Sequence, residues 1–567
     1  MSAPATVHGF LLDALRGHGA RPAQRWVGPA GTWESRTHGE LRLLALRLAA
    51  GLRAAGLEAG ERVALVADNG PWWPAADLAI LACGGVDVPR GTDTTATELA
   101  RILEHSEAVG AVAVGEEALR RVQAATGTAR GLRFVARLDA PRGGVPEGVL
   151  SGEELSSRDP ADPAGLPAVG PEDLASIIYT SGTTGRAKGV TLRHRNFLHQ
   201  LRTVPPAFDF QPGDLFLAML PPWHCFERVV EYVALAVGGE VAHSHPRHLK
   251  EHIPAVQPTW MATVPRVWEM VLALSGWARL EGRDPVRAGA ALRAAVGGRL
   301  RCAVSGGGRC PDQVDRAFHA SGIRFLVGYG LTETAPVLTV RRPEDNAVGT
   351  LGRPLDETQV RVVNRDTGEA LGPGQTGVIQ ARGPQVMRGY WKDPELTGRV
   401  LAADGWFDTG DLGLLRPDGN LEFRGRAKDT IALRGGEKVE PQPLEDRLAE
   451  SPLVEHAVVV GQDRKTLGAL VVPRREAAER EARRRASLPD GAPVPSGALE
   501  ALIREECARL LTDEAGFAPH ERIGRVALLD GPFTVEDGLL TATLKVRRAA
   551  VLERHGDRIE ALFGGEG

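Results

Sequence analysis

Tyr179-Thr180-Ser181-Gly182-Thr183-Thr184-Gly185-Arg186-Ala187-Lys188-Gly189-Val190 decides how the rest of the sequence is to be read. The apolar run Ile177-Ile178-Tyr179 predicts a strand, and it breaks at once into hydroxyl residues, glycines and a lysine. Glycines let the backbone turn its N–H groups toward a ligand, hydroxyls add donors, and lysine supplies a compact positive charge. Such a loop suits a polyphosphate. It is not the common P-loop, which needs Gly-Lys-Ser/Thr after four intervening residues; here Ala187 precedes Lys188 and Gly189 follows it. A flexible polar turn would explain the glycines and threonines, but not the lysine. Of 68 Lys plus Arg only seven are lysine, at positions 188, 250, 392, 428, 438, 465 and 545. In a chain this committed to arginine, a retained lysine marks a place for a small, deprotonatable charge. Lys188, Lys428, Lys438 and Lys545 all fall in Gly- or Thr-rich stretches.

Bulk properties narrow the class. A chain of 567 residues exceeds what one core supports and predicts at least two domains. A formal net charge of −4 offers no surface for nucleic acid. Residues 1–10 lack the basic and long apolar regions of a signal peptide, and no apolar run reaches the length of a membrane span. The five cysteines, at 83, 225, 302, 310 and 507, form no CxxC pair. These features predict a cytoplasmic protein without a disulfide framework or zinc site.

Working outward from the loop, helix and strand patterns alternate from residue 37 to residue 135. Thr37-His38-Gly39-Glu40 has capping-box spacing, and Val63 to Val66, Val86 to Val88, residues 111–114 and residues 132–135 read as strands. Residues 139–173, rich in Pro, Gly, Asp and Ser, read as an exposed connection. Beyond the loop a helix from His194 leads to strands at 215–220, 261–263, 302–305 and 325–327. Alternation of this kind predicts mostly parallel sheets covered by helices. From residue 349 short alternating strands at 359–363 and 377–381, and a hairpin over 412–423, predict an antiparallel β subdomain. The remainder predicts a small α+β domain, with strands at 454–460 and 467–472 and helices over 475–487, 499–511 and 547–563. The expected fold is therefore α/β, with a large N-terminal domain and a small C-terminal one.

Several short motifs carry chemistry. Tyr329, between Gly328 and Gly330, offers a ring face for stacking. Thr332 offers a hydroxyl to phosphate, and Glu333 a hard oxygen suited to Mg²⁺. Asp411 can accept hydrogen bonds from both hydroxyls of a ribose. A turn with helix-starting residues, or a surface carboxylate, would account for each of these taken alone.

Taken together, these motifs resemble the adenylate-forming, AMP-binding superfamily over nearly the whole chain. The resemblance implies that Thr180, Ser181, Gly182, Thr183, Thr184, Gly185 and Lys188 hold the phosphates of ATP, and that Thr180 and Glu333 hold Mg²⁺. It places adenine by Gly306, Gly307 and Gly308, and ribose by Asp411 and Arg426, with Gly328, Tyr329, Gly330 and Thr332 among the other nucleotide-binding residues. It makes Lys545 the catalytic lysine and sets His224 in the acyl site. Lys428 becomes part of a hinge at 427–428, between an adenylation domain (1–426, with its β subdomain at about 349–426) and a mobile lid (429–567). Gly435, Gly436, Glu437 and Lys438 would then face the thiol of coenzyme A. Residues 86–91, 222–232, 264–269 and 434–441 resemble long-chain fatty acyl-CoA synthetases in particular. The expected substrates are a fatty acid, ATP and coenzyme A, with peripheral contact at the inner membrane face compatible with such a substrate. An aryl-CoA ligase, an acyl-AMP ligase loading a carrier protein and a non-catalytic acyl-adenylate sensor are the alternatives. The segment 269–301 is short for a long-chain member and leaves acid identity open; oligomeric state is not legible.

Overall fold

The computed structural model describes residues 5–127, 131–141, 143–181, 187–489, 491–541 and 545–564. Its contacts divide the chain into two compact units. One comprises Met1–Cys310, Val314–Val360 and Gln380–Phe407; the other comprises Pro311–Gln313, Arg361–Ile379 and Asp408–Gly567.

The first unit is built on two large sheets. In the eight-stranded sheet, Val86–Arg90, Arg62–Val66, Ala108–Ala113, Phe134–Arg137 and Val149–Ser151 run parallel to their neighbours. Leu174–Ser181 joins them in parallel, then reverses into Ala187–Arg193, which pairs antiparallel with it. Thr180 and Lys188 of the phosphate-loop sequence thus stand on a pair of antiparallel strands added to a mostly parallel sheet. The nine-stranded sheet has a parallel centre of Arg324–Gly330, Cys302–Ser305, Trp260–Thr263, Leu215–Ala218 and Glu240–His243. Leu215–Ala218, Trp260–Thr263 and Cys302–Ser305 are largely apolar and wholly buried, as a sheet covered on both faces requires.

Local signals place the helices. Thr37 caps the helix His38–Ala54, accepting from Glu40 N while Glu40 accepts from the Thr37 backbone at 2.7 Å; a cap of this kind stabilises by about 1 kcal/mol. The helix Cys225–Ala236 is pinned by Arg228, which is fully buried. Its guanidinium donates to Asp77 Oδ1 at 2.5 Å, Ser176 Oγ at 2.9 Å and Tyr232 OH at 2.9 Å, with Asp87 at 3.0 Å. One side chain therefore joins that helix to strands Val86–Arg90 and Leu174–Ser181. Removing one partner of such a buried pair costs about 3–5 kcal/mol.

The second unit contains the hairpin Phe407–Leu415 and Leu421–Arg426, which lies in a four-stranded sheet with Gln359–Val363 and Gly377–Arg382. A three-stranded sheet of Val454–Val460, Leu467–Pro473 and Ile523–Leu528 follows, packed on helices Pro441–Ala449 and Ser496–Leu510. Among the described residues no helix is long and apolar enough to cross a membrane.

Three local expectations change. The connection 139–173 contains a strand, Val149–Ser151, and a helix, Gly152–Ser156, started by a second capping box between Ser151 and Glu154. Its turn-forming composition hid that short element. The strand predicted at 132–135 runs instead over Phe134–Arg137. The helix predicted over 547–563 is two, Arg548–Arg554 and Gly556–Phe563, because the chain breaks at His555-Gly556.

Candidate active site

Within the first unit the phosphate hairpin brings two predicted residues into register: Thr180 pairs with Lys188 across the strands. Ser181 ends the strand opposite Ala187, and Gly182, Thr183, Thr184 and Gly185 lie outside the described residues. The Lys188 amine rests over the Tyr390 ring, 4.7 Å from its centroid, and donates to the Tyr390 hydroxyl at 3.5 Å. That hydroxyl in turn donates to Glu333 Oε1 at 2.9 Å. Burial and the adjacent Glu333 carboxylate push the Tyr390 phenol well above its ordinary range, so it stays a neutral donor. Tyr390 reaches this position because Gly389–Tyr390 pairs with the hairpin strand at Thr191 and Val190. The Met387 N–H also donates to the Glu333 carbonyl at 2.8 Å. Lysine, phenol and carboxylate form one continuous half-buried chain.

Tyr390 was not foreseen. An earlier signal existed in Gly389-Tyr390-Trp391, an aromatic pair after a glycine, but nothing local ties it to residues some two hundred positions away.

The nucleotide candidates of this unit cluster at strand ends. Gly328, Tyr329 and Gly330 continue the strand Arg324–Gly330 rather than following it in a turn, and they pair antiparallel with Val337–Val340. Gly330 is obligatory there, since a β-carbon would collide with the Pro336 carbonyl. Thr332 and Glu333 form the tight 3₁₀ turn Thr332–Thr334 that follows. Gly306, Gly307 and Gly308 follow the strand Cys302–Ser305, and a β-carbon on Gly306 would lie 2.9 Å from the Phe226 ring. His224 precedes the helix Cys225–Ala236 with its ring against Trp223, centroids 4.1 Å apart.

A magnesium ion fits this donor set. Among the described residues no group of three or more His, Cys, Asp or Glu gathers around a metal position. Mg²⁺ keeps several waters and takes one or two protein oxygens plus phosphate oxygens, and Glu333 presents a half-buried carboxylate held in place by a phenol.

The second unit assembles the other candidates. Asp411 and Arg426 are cross-strand partners in the hairpin, with Arg426 Nε 3.4 Å from Asp411 Oδ1. Asp411 is buried and Arg426 half exposed. Lys545 is tied to Thr541: Thr541 N donates to the Lys545 carbonyl at 2.8 Å, and Lys545 N donates to Thr541 Oγ1 at 3.1 Å. Desolvation brings the Lys545 ammonium down to about 8, with Arg426 adding to the shift and Asp411 opposing it. The residue as a whole keeps exposed surface. Lys428 lies exposed in the 3₁₀ turn Ala427–Asp429. Gly435, Gly436 and Glu437 form the exposed tip between strands Ile431–Ala432 and Lys438–Val439, with Gly436 at φ +93°.

One compact unit holding Thr180, Lys188 and Glu333 and another holding Asp411, Arg426 and Lys545 accord with an adenylate-forming enzyme. Residues 12–391 match the AMP-binding enzyme family and residues 428–490 its C-terminal domain, so the chain belongs to the AMP-binding enzyme family. It is similar to the "Long-chain-fatty-acid--[acyl-carrier-protein] ligase AEE15, chloroplastic" of Arabidopsis thaliana, 34% identical over 93% of this chain and 82% of that protein. It is also similar to the "Long-chain-fatty-acid--CoA ligase FadD15" of Mycobacterium tuberculosis, 32% identical over 94% of this chain and 93% of that protein. Among solved structures, the adenylation domain of a carboxylate reductase from Mycobacterium chelonae is 25% identical with a TM-score of 0.82, covering 99% of this chain and 92% of that one. The anthranilate CoA ligase AuaEII shares the fold at 20% identity with a TM-score of 0.79, covering 97% of this chain and 98% of that one.

Proposed function

We propose that this enzyme activates a long-chain fatty acid with ATP and passes the acyl group to the thiol of coenzyme A. In the first step a carboxylate oxygen attacks the α-phosphorus, the bond to the β-phosphate bridge breaks, and acyl-AMP and pyrophosphate form. In the second the thiol sulfur attacks the acyl carbon, AMP leaves, and the thiol proton is released. No enzyme nucleophile is needed, because the substrate carboxylate is the nucleophile. The enzyme's task is to hold anions together and to stabilise charge on the transferring phosphorus.

The observation that carries the reading is the Lys188–Tyr390–Glu333 chain beside the phosphate hairpin. Thr180 and Lys188, with Ser181 to Gly185, take the β- and γ-phosphates. Glu333 with Thr180 holds Mg²⁺, which neutralises phosphate charge when bound. Asp411 and Arg426 take the ribose, His224 lines the acid pocket, and Lys545 acts on the charge developing in the first step. Lys428 is the pivot by which residues 429–567 serve the two steps in turn, with Gly435, Gly436, Glu437 and Lys438 serving the second. Five buried free thiols accord with a cytoplasmic setting. A second reading, a carrier-protein pantetheine in place of coenzyme A, is favoured by the likeness to AEE15.

The test is pyrophosphate release and thioester formation across fatty and aromatic acids, with free coenzyme A and holo acyl carrier protein compared as acceptors. Long-chain acids with coenzyme A are expected to dominate. Thioester formed on the carrier protein alone would select the second reading, and no acid-dependent pyrophosphate release would overturn both.

A further inference from the structure

The proposed function gives no role to Arg90, a buried cation beside the phosphate hairpin. Arg90 ends the strand Val86–Arg90 and is almost fully enclosed. Its Nη1 donates to the Tyr179 carbonyl at 3.0 Å, immediately before Thr180. Its other donors reach Thr94 Oγ1 at 3.1 Å and Glu98 Oε1 at 3.2 Å. The flat face of the guanidinium covers the Trp223 indole, 5.3 Å from the ring centroid, and Trp223 in turn lies against His224. Gly91, the next residue, is so close to the indole that any β-carbon there would collide with it. Trp223 is thus enclosed on the Arg90–Gly91 side and has no slack to absorb a shift of His224.

We propose that Arg90 is a positioning residue that couples the acid pocket to the phosphate hairpin. The inference rests on the acid-pocket role given above to His224. A ligand that presses on the His224–Trp223 stack presses on the Arg90 face, and Arg90 holds the Tyr179 carbonyl in the strand that carries Thr180. An arginine suits this place because it presents a planar face for stacking and edge donors at the same time. Coupling of this kind is reciprocal: the acid changes nucleotide affinity by the same factor as the nucleotide changes acid affinity.

Calorimetric titration of the full chain tests the proposal, using α,β-methylene-ATP with Mg²⁺ and a long-chain fatty alcohol that cannot be adenylated. In the unsubstituted enzyme each ligand is expected to change the affinity of the other by roughly 5-fold or more. Arg90→Met keeps the stem and loses the donors, so each ligand alone should bind within about 3-fold while the coupling factor falls toward one. Arg90→Lys, which restores one donor, should recover part of it. A role confined to stability would lower the melting temperature and leave the coupling factor intact, and a folded Arg90→Met variant with unsubstituted coupling would overturn the proposal. Should Arg90→Met not fold, Trp223→Leu removes the stacked partner and must likewise reduce coupling, or the proposal fails. Absence of nucleotide binding by the unsubstituted enzyme would instead overturn the functional reading beneath it.

Discussion

Lys188 sits in the first unit with its amine over an aromatic face and a phenol beside it. Lys545, in the second unit, has its backbone tied to Thr541 and an ammonium brought down to about 8 by desolvation. The first setting is a holder: the Tyr390 ring accepts the positive charge, and a cation–π contact contributes about 0.5–2 kcal/mol. The second makes a cation costly until an anion arrives, which is the property wanted where charge develops only in a transition state. In the function proposed above, Lys188 binds and Lys545 catalyses, one lysine on each compact unit. The predictions that follow either widen that division or remove it.

The largest effect is expected from Lys545→Ala. Adenylation should fall by roughly 10²–10³ while ATP affinity stays near its original value. Pyrophosphate release and an ATP titration on the same protein check this, and equal damage to both would erase the distinction between the lysines. The pH dependence has a definite sign. Lys545 is charged below about 8 and loses its proton as the pH rises through that value, so the adenylation rate should hold below and decline above. Lys545→Arg, whose charge survives to much higher pH, should flatten that alkaline limb, at whatever cost in absolute rate. A decline that persists unchanged in the arginine variant would assign it to another group.

Next in size is Glu333→Gln. Charged hydrogen bonds and metal contacts of this kind are worth about 1.5–3 kcal/mol, so the apparent Mg²⁺ affinity should weaken by roughly 10- to 100-fold. Acid binding should not follow it. A normal Mg²⁺ titration together with lost acid binding would move Glu333 out of the phosphate side altogether.

The contrast also shows which parts of the molecule could be read from the sequence. Thr180, Lys188 and the strand Leu174–Ser181 are legible because their neighbours in space are their neighbours in the chain, across one hairpin. Asp411 and Arg426 are legible for the same reason, being cross-strand partners in a second hairpin. Tyr390 and Arg90 are not. Each owes its role to contacts with residues remote in sequence, and neither local propensity nor periodicity encodes such pairs. The Arg228 cluster behaves in the same way, because Asp77 and Asp87 come to it from other elements. The helix Gly152–Ser156 was missed for a different reason, since a short capped element is masked by the turn-forming residues around it.

Lys428→Pro is expected to have a smaller effect, and it bears on whether the two units act in turn. Proline fixes φ near −65° and restricts the residue before it. A pivot at 428 must adopt two backbone conformations, so locking it should impair the half-reactions unequally, with a difference of about tenfold, or about 1.4 kcal/mol between conformers. Acyl-AMP formation is expected to survive and transfer from preformed acyl-AMP to coenzyme A to fall. Equal losses in a folded protein would place the pivot elsewhere.

Tyr390→Phe gives the smallest expected effect and the sharpest test of Lys188 as a holder. The substitution keeps the ring beneath the amine and removes only the hydroxyl, which donates to Glu333 and accepts from Lys188. The cation–π part of the holder should persist, while Glu333 loses one donor to its carboxylate. One such bond is worth about 1.5 kcal/mol at the low end for a charged partner, so the KM for MgATP should rise by roughly tenfold or less. Transfer from preformed acyl-AMP, which needs neither β- nor γ-phosphate, should be unaffected. Because Tyr390 acts through Glu333, the double variant with Glu333→Gln should show strong non-additivity, adding little to the loss from Glu333→Gln alone. Fully additive losses would mean that the phenol and the carboxylate contribute independently. Lys188 would then be held by the ring alone, and the first unit would be no more preassembled than the second.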